Sequence, residues 1–336
     1  MKLLTVVVPS YNAQDYLSNC IESLLPGGER VEIIIVNDGS KDRTGEIADE
    51  YAAKYPSIVR VIHQENGGHG AGINQGVRHA TGRYFKNVDS DDALSADFPR
   101  FLDELERVDR EGPVDIFFTN YYYVHTDGVG DRSINMSNAF PEGRTFTWAD
   151  TKGFRIDQVL MLHTCTFNTE MLRKTGIELP LHTFYEDNYM VYGNLRNAER
   201  LYYMNTDLYR YTIGREGQSM AEESMKKRYT HQIKAAELCF TSFHLDEVAD
   251  RKKRKYLSHE LFILLGGAIF FTRLNKTAAS DADLDAMWDR CRAFDRKWAD
   301  HFRYRTALLF LMLPGRFGQG VSNFFYKLSR KVVKFN

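Results

Sequence analysis

Residues 3 to 8 form an unbroken apolar, largely β-branched run, the pattern of a strand buried on both faces of a parallel sheet. From Asp15 to Leu25 the apolar positions Tyr16, Leu17, Cys20, Ile21, Leu24 and Leu25 recur at helical spacing, and Pro26-Gly27-Gly28 stops the helix. Val31 to Val36 is a second buried strand, closed by the turn Asn37-Asp38-Gly39-Ser40. The spacing then predicts a helix over Asp42 to Tyr55, a third strand over Val59 to His63, a helix over Ala71 to Ala80 ended by Thr81-Gly82, and a fourth strand over Tyr84 to Val88. This alternation implies an open, doubly wound, mostly parallel sheet that holds its ligand at the carboxyl ends of the strands.

Later in the chain the pattern becomes mixed. Ala96 to Arg110 reads as a helix, Asp115 to Val124 as a strand rich in Tyr and Phe, and residues 125 to 147 as a polar loop or hairpin. From Thr230 the chain reads as helical to its end. The expected organisation is α/β, with a domain over residues 1–225, of which 1–110 is a nucleotide-binding half and 111–225 an acceptor-binding half. A helical region over 226–336 follows. Leu261 to Phe271 and Thr306 to Leu313 are apolar runs, both short of the ~20 residues that span a bilayer. The first apolar run is stopped by Pro9, too soon for a signal-peptide core.

Charge changes this picture at one end. The formal net charge of the 336 residues is -1, which speaks against a nucleic-acid binder. Residues 301–336, however, contain seven Lys and Arg and no acid; taking those seven from the 44 in the chain leaves 37 basic against 45 acidic side chains before them. With Phe302, Tyr304, Phe310, Phe317, Phe324, Phe325 and Tyr326 in the same stretch, the tail suits an amphipathic anchor on anionic lipid, and packing onto the catalytic domain is the alternative. Arg251-Lys252-Lys253-Arg254-Lys255 reads as a solvated helix face. Cys20, Cys165, Cys239 and Cys291 are widely spaced, with no zinc-ligand pattern, and read as reduced thiols of a cytosolic protein.

The candidate chemistry lies where strands end. Asn87-Val88-Asp89-Ser90-Asp91-Asp92 closes the fourth strand with three carboxylates that repel one another unless a cation is present. Hard oxygen ligands of this kind suit Mg2+ or Mn2+, which takes one or two protein carboxylates and fills its other positions with water and phosphate oxygens. The alternative is an Asx-turn, with Asp92 or Ser95 capping the following helix. Pro9-Ser10-Tyr11-Asn12 ends the first strand and Asn37-Asp38 the second, so these residues converge on one crevice. Asn66-Gly67-Gly68-His69-Gly70-Ala71-Gly72 permits close backbone approach to a diphosphate at a helix N-terminus, with a flexible surface loop as the alternative.

These motifs, with Asn74, Gly76 and Glu186-Asp187, resemble in this order the family 2 glycosyltransferases of GT-A type, over about residues 3 to 220. The resemblance implies a Rossmann-like nucleotide-binding fold and a metal-dependent, inverting transfer of sugar from a UDP-sugar to a saccharide or lipid-linked acceptor. It also implies a place in cell-surface polysaccharide synthesis, in the cytoplasm or on the inner face of the membrane. In that reading Pro9, Tyr11, Asp38, Asn66, Gly68, His69, Asn74, Asp89 and Arg215 contact the donor. Tyr11 stacks on the base, Asp38 accepts an imide N–H, Asp89 holds the ribose with a share in the metal, and Asp91 is the metal ligand. Asp187 is the general base, and Glu186 positions it or an acceptor hydroxyl. Many relatives carry Arg where this chain has Ile73, leaving a contact that His69 or Arg215 would take over. For Asp187 the plainer reading is an acid at a helix N-terminus. Two rivals remain. A nucleotidyltransferase would want a glycine-rich loop with a basic residue after the first strand, and a non-catalytic glycan-binding module would have no need of Asp89, Asp91 and Asp187.

Overall fold

The computed structural model describes residues 1–313 except 127, 129, 157, 215–221 and 276, together with Gly320. The chain forms two compact units, Met1–Phe154 with Leu160–Arg215, and Arg155–Val159 with Glu216–Asn336.

The first unit is built on one sheet. Its elements are β1 (Leu4–Ser10), α1 (Leu17–Leu24), β2 (Val31–Asp38), α2 (Thr44–Lys54), β3 (Val59–Gln64), α3 (His69–His79), β4 (Tyr84–Asn87), β5 (Ala93–Leu94) and α4 (Phe98–Glu111). They continue with β6 (Ile116–His125), β7 (Arg132–Ile134), β8 (Thr145–Phe146), β9 (Cys165–Asn168), α5 (Thr169–Thr175), α6 (Asp187–Leu195) and β10 (Leu201–Ile213). The strand order is β3-β2-β1-β4-β9-β6-β10-β5, with β7 on β6 and β8 on β10.

The first four strands are parallel, as the alternation predicts. Every residue of β1 and β2 is buried, which is why both read as apolar runs without alternation. Helix α3 lies tight on β1, because a Cβ on Gly76 would sit 2.4 Å from a Val7 methyl. The second half departs from a mostly parallel sheet. Strand β9 runs antiparallel to both β4 and β6, whereas β6 and β10 are parallel. The sheet is therefore mixed, with an antiparallel strand joining two parallel sets, and this is what lets the strand ends of both halves open onto one region.

Of the two residues offered as a cap for Ala96 to Arg110, Asp92 is bonded to β10, while Ser95 Oγ accepts from the Asp97 N–H at 3.4 Å just before α4.

The α-helices described in the second unit are α7 (Glu222–Lys227), α8 (Tyr229–Thr241), α9 (Arg251–Asn275), α10 (Ala278–Phe294), α11 (Arg296–Arg305) and α12 (Leu308–Leu311). Leu257, Leu261, Leu265, Ala268 and Ile269 bury one stripe of α9, and Met287 and Trp288 do so from α10. The eleven-residue apolar run is the middle of α9. At 25 residues that helix is long and apolar enough to cross a membrane by length and composition, and half of its most apolar stretch is buried.

Candidate functional site

The strand ends of the first unit are laced together by side chains. After β1, the Asn12 N–H donates to Ser40 Oγ at 3.0 Å and Asn12 Oδ1 accepts from the Lys41 N–H at 2.9 Å, joining the loops that follow β1 and β2. Tyr11 projects from this join and is 51% exposed, the condition a stacking platform needs.

Asp38 is buried. Its carboxylate accepts from the Gly67 and Gly68 N–H groups, each at 2.8 Å, and from Gln64 Nε2 at 2.6 Å, while Asn66 Nδ2 donates to the Asp38 carbonyl. The acid thus shapes the glycine loop with three of its roughly four acceptor sites and keeps one for a further donor. Gly68 has φ +86, and a Cβ there would meet the His182 backbone at 3.0 Å, so the turn requires glycine. A Cβ on Gly72 would lie 2.8 Å from Pro9 Cβ. The close approach that these glycines permit is therefore protein on protein. Asn74 clasps the backbone of Leu179, accepting from its N–H and donating to its carbonyl, both at 2.9 Å. Ile73 is buried.

The acidic loop after β4 is held at three points. Asp89 Oδ1 accepts from Asn87 Nδ2 at 2.6 Å and faces His69 Nε2 at 3.0 Å. Asp92, 1% exposed, accepts from the Tyr209 hydroxyl and the Thr212 N–H, both at 2.8 Å. The Tyr209 hydroxyl in turn accepts from the Asp89 N–H at 3.1 Å. Burial, with the charges of Asp91 and Asp89, pushes the Asp92 carboxyl well above the usual range. Burial raises Asp89 too, but the charge and hydrogen bond of His69 outweigh it and hold Asp89 well below that range.

His69 joins this loop to the acid pair. Its Nδ1 lies 2.9 Å from Glu186 Oε1, opposite the contact with Asp89. A neutral imidazole donates from one nitrogen only, so carboxylates on both require the imidazolium. Burial lowers the ring, yet Asp89 and Glu186 together hold it well above its ordinary value. Glu186 is buried at the start of α6, and Asp187 beside it is half-buried. Burial first, and the Glu186 charge second, push the Asp187 carboxyl up to about 7. A helix N-terminus alone would lower it. Among the described residues, the non-glycine positions with positive φ are Asn12, His182 and Tyr185. All three sit in these loops, and strain held in place by surrounding structure is a feature of ligand sites.

The structure therefore brings Asp38, Asn66, Gly68, His69, Asn74, Asp89, Glu186 and Asp187 into one network, with Tyr11 exposed at its edge. Arg215 lies outside the described residues. Sequence reasoning missed His163, whose ring is 4% exposed and stacks on Tyr209 and Tyr211 at 4.6 and 4.7 Å. Burial pushes its imidazole down to about 4. It also missed Lys86, buried in β4, whose Nζ donates to the His163 carbonyl at 2.8 Å and whose amine burial pushes down to about 8. The signal for Lys86 was a lone Lys in an apolar strand; His163 had none.

Among the described residues no three His, Cys, Asp or Glu side chains converge to hold a metal. The all-oxygen set Asp89, Asp91 and Asp92 still fits Mg2+ or Mn2+, which needs only one or two carboxylates. Asp92 is bonded to Tyr209 and Thr212 of β10, whereas Asp89 and Asp91 are only half-buried.

The family model for Glycosyl transferase family 2 matches residues 5–172. The uncharacterized glycosyltransferase EpsJ of Bacillus subtilis is 42% identical over 127 residues, 37% of this chain and 36% of that relative, so the match spans about a third of its length. Among solved structures, S. aureus TarS 1-349 in complex with UDP-GlcNAc aligns with a TM-score of 0.67 at 20% identity, covering 97% of this chain and 92% of that one. The mannosyltransferase PcManGT from Pyrobaculum calidifontis, in complex with GDP-Man and Mn2+, aligns with a TM-score of 0.56 at 14% identity, covering 99% and 88%. At these identities the two structures show a shared GT-A fold.

Proposed function

We propose, from the premise that the chain belongs to glycosyl transferase family 2, that it transfers a sugar from a UDP-sugar to a saccharide or lipid-linked acceptor with inversion at the anomeric carbon. The observation that carries this reading is His69, which stands within 3.0 Å of Asp89 and 2.9 Å of Glu186 and so brings the acidic loop beside the acid pair. The UDP-GlcNAc bound by TarS, on the same fold, supports UDP as the nucleotide.

Asp91, with Asp89, would hold a Mn2+ or Mg2+ ion, which when bound neutralises the leaving diphosphate as a Lewis acid. The remaining work falls to the chain. Tyr11 offers an aromatic face to the base, and an aromatic stack contributes about 1 to 3 kcal/mol. Asp38, through Gly67 and Gly68, sets the loop along which the donor lies. Asp187 takes the acceptor hydroxyl's proton as the acceptor oxygen attacks the anomeric carbon. With its carboxyl near 7 it is half-ionised at neutral pH and basic enough for that transfer. His69 fixes Glu186, and Glu186 precedes Asp187 at the start of α6, so the base is oriented from the donor side.

The acceptor is membrane-proximal in this reading. In the basic, aromatic tail of residues 301–336, Tyr304, Leu309 and Phe310 are 48%, 38% and 52% exposed, while 314–336 apart from Gly320 lie outside the described residues. An anionic inner-membrane surface suits both features and would concentrate a lipid-linked acceptor of surface polysaccharide.

The test is calorimetry of UDP with Mn2+ and then with EDTA, repeated on Asp91→Asn. Metal-dependent binding that the variant loses supports the donor site. Equal binding in EDTA removes the metal, and no binding in any condition removes UDP.

A further inference from the structure

Strand β10 carries a patch that the mechanism above leaves unused. Tyr209 and Tyr211 are two apart and face the same side of the sheet, and the parallel register sets them beside Tyr121 and Tyr123 of β6. His163 stacks on Tyr209 and Tyr211 together, and Lys86 holds the His163 backbone in place. The result is an aromatic cluster at the carboxyl ends of two parallel strands, the side on which sheets of this kind bind ligands. Within it the tyrosines differ. Tyr209 is fully buried and its hydroxyl is engaged by Asp92 and Asp89. Tyr211, one pleat nearer the strand's end, is only half-buried. Its neighbour Thr212 is bonded to Asp92, so the acidic loop fixes where the Tyr211 ring stands.

We infer that Tyr211, backed by the buried His163 ring, is the wall against which the transferred sugar rests, and is a determinant of which sugar the enzyme accepts. This rests on the donor-site reading above. A pyranose presents one face of C–H groups and a rim of hydroxyls, and a rigid aromatic face meets the first while its phenol reaches the second. In an inverting transfer the sugar lies between the departing diphosphate and the base. Tyr211 stands close to that place: the residue after it is bonded to Asp92 of the acidic loop at 2.8 Å, and its ring stacks on His163 at the same strand ends. An aromatic face also favours the positive charge that develops on the sugar ring, and the neutral His163 behind it adds no opposing cation.

The experiment compares affinities for UDP, UDP-GlcNAc and UDP-glucose with Mn2+ present, for the full chain and for Tyr211→Ala and Tyr211→Phe. Tyr211→Ala is expected to bind UDP within about twofold of the parent while losing about tenfold for the preferred UDP-sugar, and Tyr211→Phe to recover most of that loss. Loss of UDP and UDP-sugar in equal proportion would mean that Tyr211 only holds the strand, and the inference fails. Unchanged UDP-sugar affinity in Tyr211→Ala overturns it as well, with the donor reading left standing. If the parent chain binds neither UDP nor a UDP-sugar, the donor reading fails and this inference goes with it.

Discussion

Asp38 and Glu260 are both carboxyl groups that the fold removes from water, and they differ in what meets them. Asp38 receives two backbone N–H groups and an amide, Asp92 a phenol and an N–H, and Glu186 an imidazolium. Glu260, on α9 of the second unit, is fully buried and among the described residues is met by no donor other than the Tyr256 hydroxyl. Burial pushes its carboxyl up to about 8, and the hydrogen bond of the Tyr256 hydroxyl one turn earlier opposes it. The second unit thus accommodates its acid as a neutral group, whereas the first arranges donors and a counter-cation around its acids. What separates the two units is the number of donors that meet the carboxylates, since burial raises Asp92 and Asp187 of the first unit as well.

Neutralising acids in the two units separates these cases. Asp187→Asn is expected to lower transfer by about 10³-fold with UDP affinity unchanged within about twofold, read by turnover assay and calorimetry. Unchanged turnover would remove Asp187 as the base. His69→Ala leaves Glu186 buried with no cation beside it; we expect kcat to fall about 10²-fold and denaturant stability by about 2 kcal/mol. A stability loss with full activity would make His69 purely structural.

The pH profile sharpens the same point. Asp187 must be ionised to accept a proton and titrates near 7, so kcat/KM should fall about tenfold for each unit below that pH. A limb near 4 would place the base elsewhere.

The matching test in the second unit reads stability and leaves activity untouched. Unfolded Glu260 ionises near the ordinary ~4.3, while in the fold it keeps its proton up to about 8. Its contribution is therefore full below the unfolded value and is lost as pH rises towards the folded one, by on the order of a few kcal/mol. Glu260→Gln should remove that part of the pH dependence in denaturation measured between pH 5 and 8. A variant with the same pH dependence as the parent would mean that Glu260 is hydrated.

Much of the first unit was readable because its strands are buried on both faces. The runs at Leu4–Ser10 and Val31–Asp38, and the helix at His69–His79, lie within two residues of where periodicity put them. Strand β9 was not readable, since four residues give no periodicity and its place between β4 and β6 is a long-range choice. Strand β10 showed only its Tyr209-Arg210-Tyr211 alternation, because Leu201 to Tyr203 are buried throughout and carry none.

Residue chemistry by itself determined that the acids at 38, 89, 91, 186 and 187 stand at strand or helix ends beside a glycine loop. Those are local properties of turns and periodic runs. Only the tertiary structure decided that Asp38 would bond that loop, that His69 would reach Glu186 across 117 residues of sequence and join it to Asp89, and that His163 and Tyr211 would stack together. The physical reason is that each of these contacts depends on strand order and register, which are set by packing the whole sheet and leave no trace in the neighbouring residues.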